Sequence, residues 1–367
     1  MLKTTAGRHH IALPLFLLVI SLHSIHARAQ NITTPRTPSP AATVSQTIGI
    51  STVTVSYSRP SVKGRTIWGN LVPYGYTKQG FGAGNDAPWR AGANENTVIR
   101  LSHPATIEGH SVPAGEYGLF FVINQDNTGE VILSKDSRSW GSFWYIPDHD
   151  LFRAKIQTRE IAPTEMLTYD FQSLTKTSAE LDLNWEKKQF PVKIEFDVDN
   201  IVMANAVEEL KGPVGFNWPG YASAANYALA NKVNLPQAMT WIDRAVQINP
   251  NFNTLSTKAK LIRLNGNTAQ SDSLMREAVA IGNENDLNQF GYQLLNDKAY
   301  DRAIEVFTLN TQKHPKSANT FDSLGEAYAT KGDKKNAIAN FKRSLSLNPP
   351  DATRQNSEKY LKQLGAL

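Results

Sequence analysis

Alternation with a period of two dominates the chain from residue 41 to residue 198. Val53, Val55 and Tyr57 are apolar, and Thr52, Thr54 and Ser56 between them are polar. The same alternation sets Phe152, Ala154 and Ile156 on one face. It recurs in Leu167, Tyr169 and Phe171, in Ala179, Leu181, Leu183 and Trp185, and in Val192, Ile194, Phe196 and Val198. Side chains on a strand alternate between two faces, so each segment predicts a half-buried β-strand. "LFFVINQDNTGEVIL" predicts two fully buried strands around a polar turn, and "TIEGHSV" a tight hairpin. So many strands without helices between them predict an antiparallel sandwich or barrel.

After Asn200 the period changes. "IVMANAVEELK" predicts a helix, and "GPVGFNWPG" breaks it and marks a boundary. Beyond it the chain reads as helical with one internal repeat. The clearest copy runs from Ala318 to Asp351: Phe321, Leu324, Gly325 and Tyr328 share one helix face, Ala337, Phe341 and Ser344 the next, and Pro349 closes the unit. One unit earlier, from Glu284, the same offsets hold Leu287, Phe290, Gly291, Leu294, Ala303, Phe307 and Pro315. Ala238, Ile242, Ala245 and Pro250 fit a unit starting near Pro219, and a degenerate unit lies between. These residues resemble tetratricopeptide repeats, four of them, followed by a capping helix at "SEKYLKQLGAL". The resemblance implies an α-solenoid with a concave groove for peptides or protein partners.

The expected fold class is therefore α+β multidomain: an antiparallel β-sandwich or barrel, then an all-α solenoid. The expected boundaries are a signal peptide over 1–29, a linker over 30–40 and the β-domain over 41–198. A helix and linker follow over 199–218, four repeats over 219–351 and a capping helix over 352–367.

Charge and cysteine content narrow the possible roles. Lys3 and Arg8 precede the apolar run "IALPLFLLVI", and "HARAQ" puts Ala27 and Ala29 at small-residue positions. This predicts export to the periplasm or beyond, with cleavage after Ala29 leaving Gln30 first. The apolar run is short for a bilayer, so no membrane span is expected after cleavage. The net charge is +5, but residues 1–29 hold Lys3, Arg8 and Arg28 and no acid. The remainder has 35 basic and 33 acidic residues, which gives nucleic-acid binding little support. The absence of cysteine excludes disulfides, thiolate metal sites and a cysteine nucleophile.

Candidate chemistry gathers in two stretches. "SRPSVKGRTIWGNLVPYG" carries Arg59, Lys63 and Arg65; "PWRAGANENTVIRL" adds Arg90, Asn94 and Glu95. Arginines beside amides and a carboxylate can bind an anionic or sugar-like ligand. Equally, Glu95 can pair with Arg59, Arg65 or Arg90 to staple two long loops. "DHD", at Asp148, His149 and Asp150, offers donors for a hard or borderline cation or forms a solvated turn. No G-x-S-x-G elbow, H-E-x-x-H pair or phosphate loop is present, and no cofactor is expected. Trp68, Trp89, Trp140, Trp144 and Tyr145 lie near loops or strand ends, where they either stack on sugar rings or fill the ends of the sandwich; core is expected for most of them, Trp144 being the least settled.

Four motifs in order, "SRPSVKGRTIWGNLVPYG", "WRAGANENT", "PAGEYGLFFV" and "WGSFWY", resemble an exported bacterial domain family of unknown function. Some of its members carry tetratricopeptide repeats behind it. The resemblance covers about residues 38–198 and transfers no catalytic residue. In that family "LVPYG" is expected to run almost directly into the W-R-x-G-A-N-E motif. Here "YTKQGFGAGNDAP" intervenes, and its composition suggests a mobile flap.

Three readings follow. The first is a non-enzymatic interaction protein binding a protein or peptide through its groove. Tyr227, Lys260, Arg263, Asn288, Tyr292, Asn319, Asp322 and Glu326 are the groove-facing candidates, a row that is otherwise an ordinary solvated face. The second is a β-domain that binds a glycan or small anion. The third is a hydrolase using Glu95 or an aspartate of "DHD".

Overall fold

The computed structural model describes residues 38–367. The expected signal peptide, and the linker up to residue 37, lie outside the described residues. β1 (Ala41–Ile48) and β2 (Ser51–Ser58) form a hairpin in unbroken register, Ala41 opposite Ser58 and Ile48 opposite Ser51. Gly49 turns it at φ +61, and a Cβ there would lie 2.6 Å from Val198, so only glycine fits.

β5 (Thr97–Leu101), β8 (Gly115–Ile123), β9 (Thr128–Ser134) and β10 (Asp150–Gln157) extend this hairpin into a six-stranded sheet, ordered β1-β2-β5-β8-β9-β10. A four-stranded sheet holds β11 (Arg159–Gln172), β12 (Ser178–Glu195), β6 (Ala105–Ile107) and β7 (His110–Val112). All pairs are antiparallel. Val53, Val55, Ile99, Leu119 and Phe121 of the first sheet share one core with Leu167, Leu181, Leu183, Val192 and Ile194 of the second.

Two alternating segments expected as separate strands form the single strand β12. Odd positions from Ala179 to Trp185 face the core, and even positions from Phe190 to Ile194 do so afterwards. Glu186, at φ +52, sits at this switch, and the register with β11 shifts beside it. The left-handed backbone at Glu186 interrupts the pleat, and alternation resumes beyond it in the opposite phase, while β11 takes up the mismatch with extra residues on both sides of Thr164.

Asp182 lies on the other face of β12, opposite Asp170. It is buried, and its Oδ1 has no hydrogen-bond partner. Burial and then Glu180 push its pKa up to about 6. Unfolded aspartate titrates near ~4, so the folded state holds this proton more tightly. Its contribution to stability is greatest below that value and falls as pH rises through about 6. Asp182→Asn is expected to flatten that slope and raise the melting temperature at neutral pH. Thermal melts across the acid range test this; an unchanged slope counts against it.

Beyond α1 (Val198–Glu209), antiparallel helix pairs stack in order. They are α2 (Trp218–Asn231) with α3 (Leu235–Ile248), α4 (Phe252–Leu264) with α5 (Thr268–Ile281), α6 (Glu284–Asn296) with α7 (Tyr300–Lys313), and α8 (Ala318–Lys331) with α9 (Lys334–Leu345). α10 (Asp351–Gln363) follows. Asn251 and Asn283 make capping boxes that start α4 and α6. Asp199 of α1 joins the two parts: it accepts from Tyr227 of α2 (2.8 Å) and from Lys176 at the sandwich edge (3.4 Å). No helix among the described residues is long and apolar enough to cross a membrane.

Candidate functional site

Two arms of the long β2–β5 connection are zipped onto different sheets. In the first, the Leu167 N–H donates to the Pro60 carbonyl (3.0 Å) and the Val62 N–H to that of Glu165 (2.8 Å). This arm follows β11. In the second, Trp89 exchanges two backbone bonds of 2.9 Å with Phe121 and follows β8. A cavity of about 550 Å³ opens between the arms, within the range of small-molecule sites.

Three of the six candidate ligand residues line this cavity: Lys63, Arg65 and Arg90. Arg59, Asn94 and Glu95 do not. Arg59 is a staple, donating to the Leu167 carbonyl (2.9 Å) and Thr168 Oγ1 (2.6 Å). Arg65 donates to the carbonyls of Ser61 and Val62, which holds it within its own loop. Lys63 adopts the left-handed conformation at φ +47, and its backbone N–H donates to Glu165 (2.9 Å). Asn94, also left-handed, reaches the Ser39 carbonyl (3.4 Å).

Arg90 is half-buried. Its guanidinium donates to the Asn94 carbonyl (2.5 Å) and lies over the Phe143 ring, 4.9 Å from the centroid. Gly141 packs against it so closely that a Cβ would fall 2.2 Å from Arg90 Cζ. Burial lowers the Arg90 pKa, because the charge gives up water for a carbonyl and a ring. Among the described residues no aspartate or glutamate lines the cavity.

Trp89 and Trp185 line the same cavity and stack on each other, 5.8 Å apart at 18°. Trp68 meets both edge-on at 5.7 and 6.0 Å. Trp185 is 1% exposed, and its indole N–H has no hydrogen-bond partner. Leaving such a donor unpaired costs about 1–3 kcal/mol.

The Tyr76–Pro88 insertion is a docked hairpin and a wall of the cavity, where a mobile flap was expected. β3 (Thr77–Lys78) pairs with β4 (Asp86–Ala87). Tyr76 donates to Glu130 (2.6 Å), Asn85 to the Tyr145 carbonyl (3.0 Å) and the Ala83 N–H to that of Phe143 (2.8 Å). Ala87 and Tyr145 bury Phe120, Val122 and Ile132 on the outer face of the first sheet. This explains why "LFFVI" is continuously apolar. Of the aromatics expected mostly in the core, Tyr145 is buried, whereas Trp140 and Trp144 are about half exposed at 50% and 48%.

The side chains of "DHD" take separate partners. Asp148 is exposed, His149 Nδ1 meets Asp136 (2.7 Å), and Asp150 accepts from Tyr145 (2.5 Å) and Arg153 (2.7 Å). Among the described residues no cluster of histidine and carboxylate groups could hold a metal ion.

In the helical part, α2, α4 and α6 line a groove with Asn226, Asn253, Lys260, Gln289 and Gln293. Lys260 is the only one of the eight candidates there. Tyr227, Asn288 and Tyr292 stand one residue from Asn226, Gln289 and Gln293, a rotation of about 100° on a helix. Tyr227 is bound to Asp199, Tyr292 to Ser323 (3.2 Å), and Arg263 pairs with Asp272. Asn288 Oδ1 is buried without a partner, and Asn319 is half-buried. Asp322 and Glu326 face α10, where Ser357 and Asn356 donate to Asp322 and Asn356 also to Glu326. Burial raises the pKa of both acids.

Residues 39–194 match the family model described as a protein of unknown function, DUF2911, and residues 318–351 match a tetratricopeptide repeat. The chain carries a DUF2911 domain followed by tetratricopeptide repeats. No curated protein matches it. Solved structures similar to it include YrrB, a tetratricopeptide-repeat protein with an unusual peptide-binding site (18% identity, 44% of this chain and 89% of that one, TM-score 0.28). Others are PilF of Pseudomonas aeruginosa (21%, 41% and 71%, TM-score 0.29) and the Sgt2 repeat domain of Aspergillus fumigatus (19%, 40% and 79%, TM-score 0.20).

Sequence reasoning missed Trp185 as part of the DUF2911 cavity. It stands more than ninety positions from Trp89, and its alternation marks it only as core. The groove amides Asn226, Asn253, Gln289 and Gln293 were missed because helix phase has to be known to within one residue.

Proposed function

We propose that the protein is an exported, non-enzymatic interaction scaffold that holds an extended segment of a partner protein along its repeats. The DUF2911 domain serves as a rigid module joined to the array through Asp199. The observation that carries this reading is the amide-rich groove across α2, α4 and α6. A carboxamide offers both donor and acceptor, the pair that an extended peptide backbone presents along its length. Lys260 and Asp286 line the same groove with opposite charges, which suits a segment carrying both an acidic and a basic or donor group.

Affinity capture from an envelope extract tests the proposal. The exported protein, its N-terminus reading Gln30, is expected to retain a partner that the triple variant Asn253→Ala, Lys260→Ala, Gln289→Ala loses. Equal retention by both proteins, or a partner released only by removing the β-domain, rejects groove binding.

A further inference from the structure

We propose that the cavity of the DUF2911 domain binds a small organic oxyanion, a carboxylate or phosphate carried on a flat or aliphatic body. The proposal is independent of the repeat groove. It begins with charge: Lys63, Arg65 and Arg90 line one cavity, and among the described residues no carboxylate lines it with them. Like charges gathered on a partly enclosed surface repel one another and focus a positive potential into the space between them.

Their hydrogen bonds leave donors over. Lys63 Nζ has no hydrogen-bond partner among the described residues, and the bonds of Arg65 and Arg90 all go to neutral carbonyls. Arg90 is half-buried, its guanidinium donates to a neutral carbonyl, and burial weakens its hold on its proton. An oxyanion offers it negative charge and several acceptors at once.

A second observation is independent of charge. Trp185 also lines the cavity, is 1% exposed, and has an indole N–H without a partner. Buried donors are nearly always paired, so an orphan beside a cavity marks a place for an acceptor atom. Trp89, Pro60 and Pro88 give the rest of the ligand an apolar wall. The stacking of Trp89 on Trp185 occupies one face of each ring, which argues against a sugar sandwiched between them. The insertion contributes Thr77 and Gln79 to the wall, so it shapes selectivity.

The test is titration of the full-length protein with phenyl phosphate, benzoate, inorganic phosphate and benzyl alcohol, read by tryptophan fluorescence and calorimetry. Probes of this size bind in the millimolar range at ordinary ligand efficiency. Phenyl phosphate or benzoate is expected to saturate, and whichever binds tighter identifies the acid group. Benzyl alcohol, which lacks the charge, and inorganic phosphate, which lacks the body, are each expected to bind at least ~10-fold more weakly. Lys63→Asn keeps the left-handed backbone and Arg65→Gln is exposed, so both should fold, as unchanged melting will show. Each is expected to weaken the preferred probe by ~10-fold, whereas Lys155→Gln, on the distant strand β10, leaves it unchanged. Equal binding of benzyl alcohol, equal binding by these variants, or no saturable response at ~10 mM of any probe overturns the proposal.

Discussion

Gly291→Val is expected to destabilise the repeat array by about 3 kcal/mol. Gly291 lies on α6 against the ring of Phe307, which is fully buried. A Cβ at this position would sit 2.5–2.8 Å from three ring atoms. Neither the ring nor the helix has room to withdraw, because interiors pack at crystal density. Gly291→Ala sharpens the test. An exposed helical glycine changed to alanine gains about 1 kcal/mol from propensity. Here the same change is expected to lose stability, and Phe307→Leu in that background to restore part of it. Urea unfolding followed by helical circular dichroism measures both. A stabilising Gly291→Ala, or strictly additive effects, contradicts the close approach. Gly325 repeats the contact one unit later, with a Cβ 2.9 Å from Phe341, so its variants should follow the same order.

Trp185→Ala is expected to cost the DUF2911 domain about 3–5 kcal/mol. The indole is packed by Trp68 and Trp89, and Phe190 extends the cluster, 5.4 Å from Trp68 and 5.4 Å from Phe121. Its removal opens a void in the sandwich core and takes away part of the cavity lining. Trp185→Phe should behave differently. It gives up contact area, but it also removes the unpaired N–H, whose burial costs about 1–3 kcal/mol. Its net loss should therefore be less than half that of the alanine variant. Chemical denaturation monitored by near-ultraviolet dichroism separates the two. Equal losses would mean that the N–H is satisfied in the folded protein.

Much of the fold was legible because it rests on period. The alternation at Val53, Val55 and Tyr57 and the spacing of Gly291 from Phe307 need no tertiary information. The join at Glu186 was not legible, since an interruption of the pleat reverses facing without changing composition. Nor was the docking of the Tyr76–Pro88 insertion, whose glycines and polar residues look mobile until Ala87 is seen covering Phe120 and Val122. The candidate site divided along similar lines. Its cations were visible as a cluster, but the staple role of Arg59 depends on β11, more than a hundred residues away. In the repeats, the row ending at Asp322 and Glu326 was read as a groove because those positions share a face. The capping helix turns out to use that face for its own hydrogen bonds.

The central claim is that a partner lies along α2, α4 and α6. A photo-crosslinking residue at Gln289, which is exposed in the groove, tests it most directly in intact cells. The control is the same residue at Lys342, exposed on α9. The account predicts a discrete adduct from position 289, none from position 342, and loss of the adduct with Asn253→Ala and Lys260→Ala. No adduct at 289, or the same adduct from both positions, would contradict it.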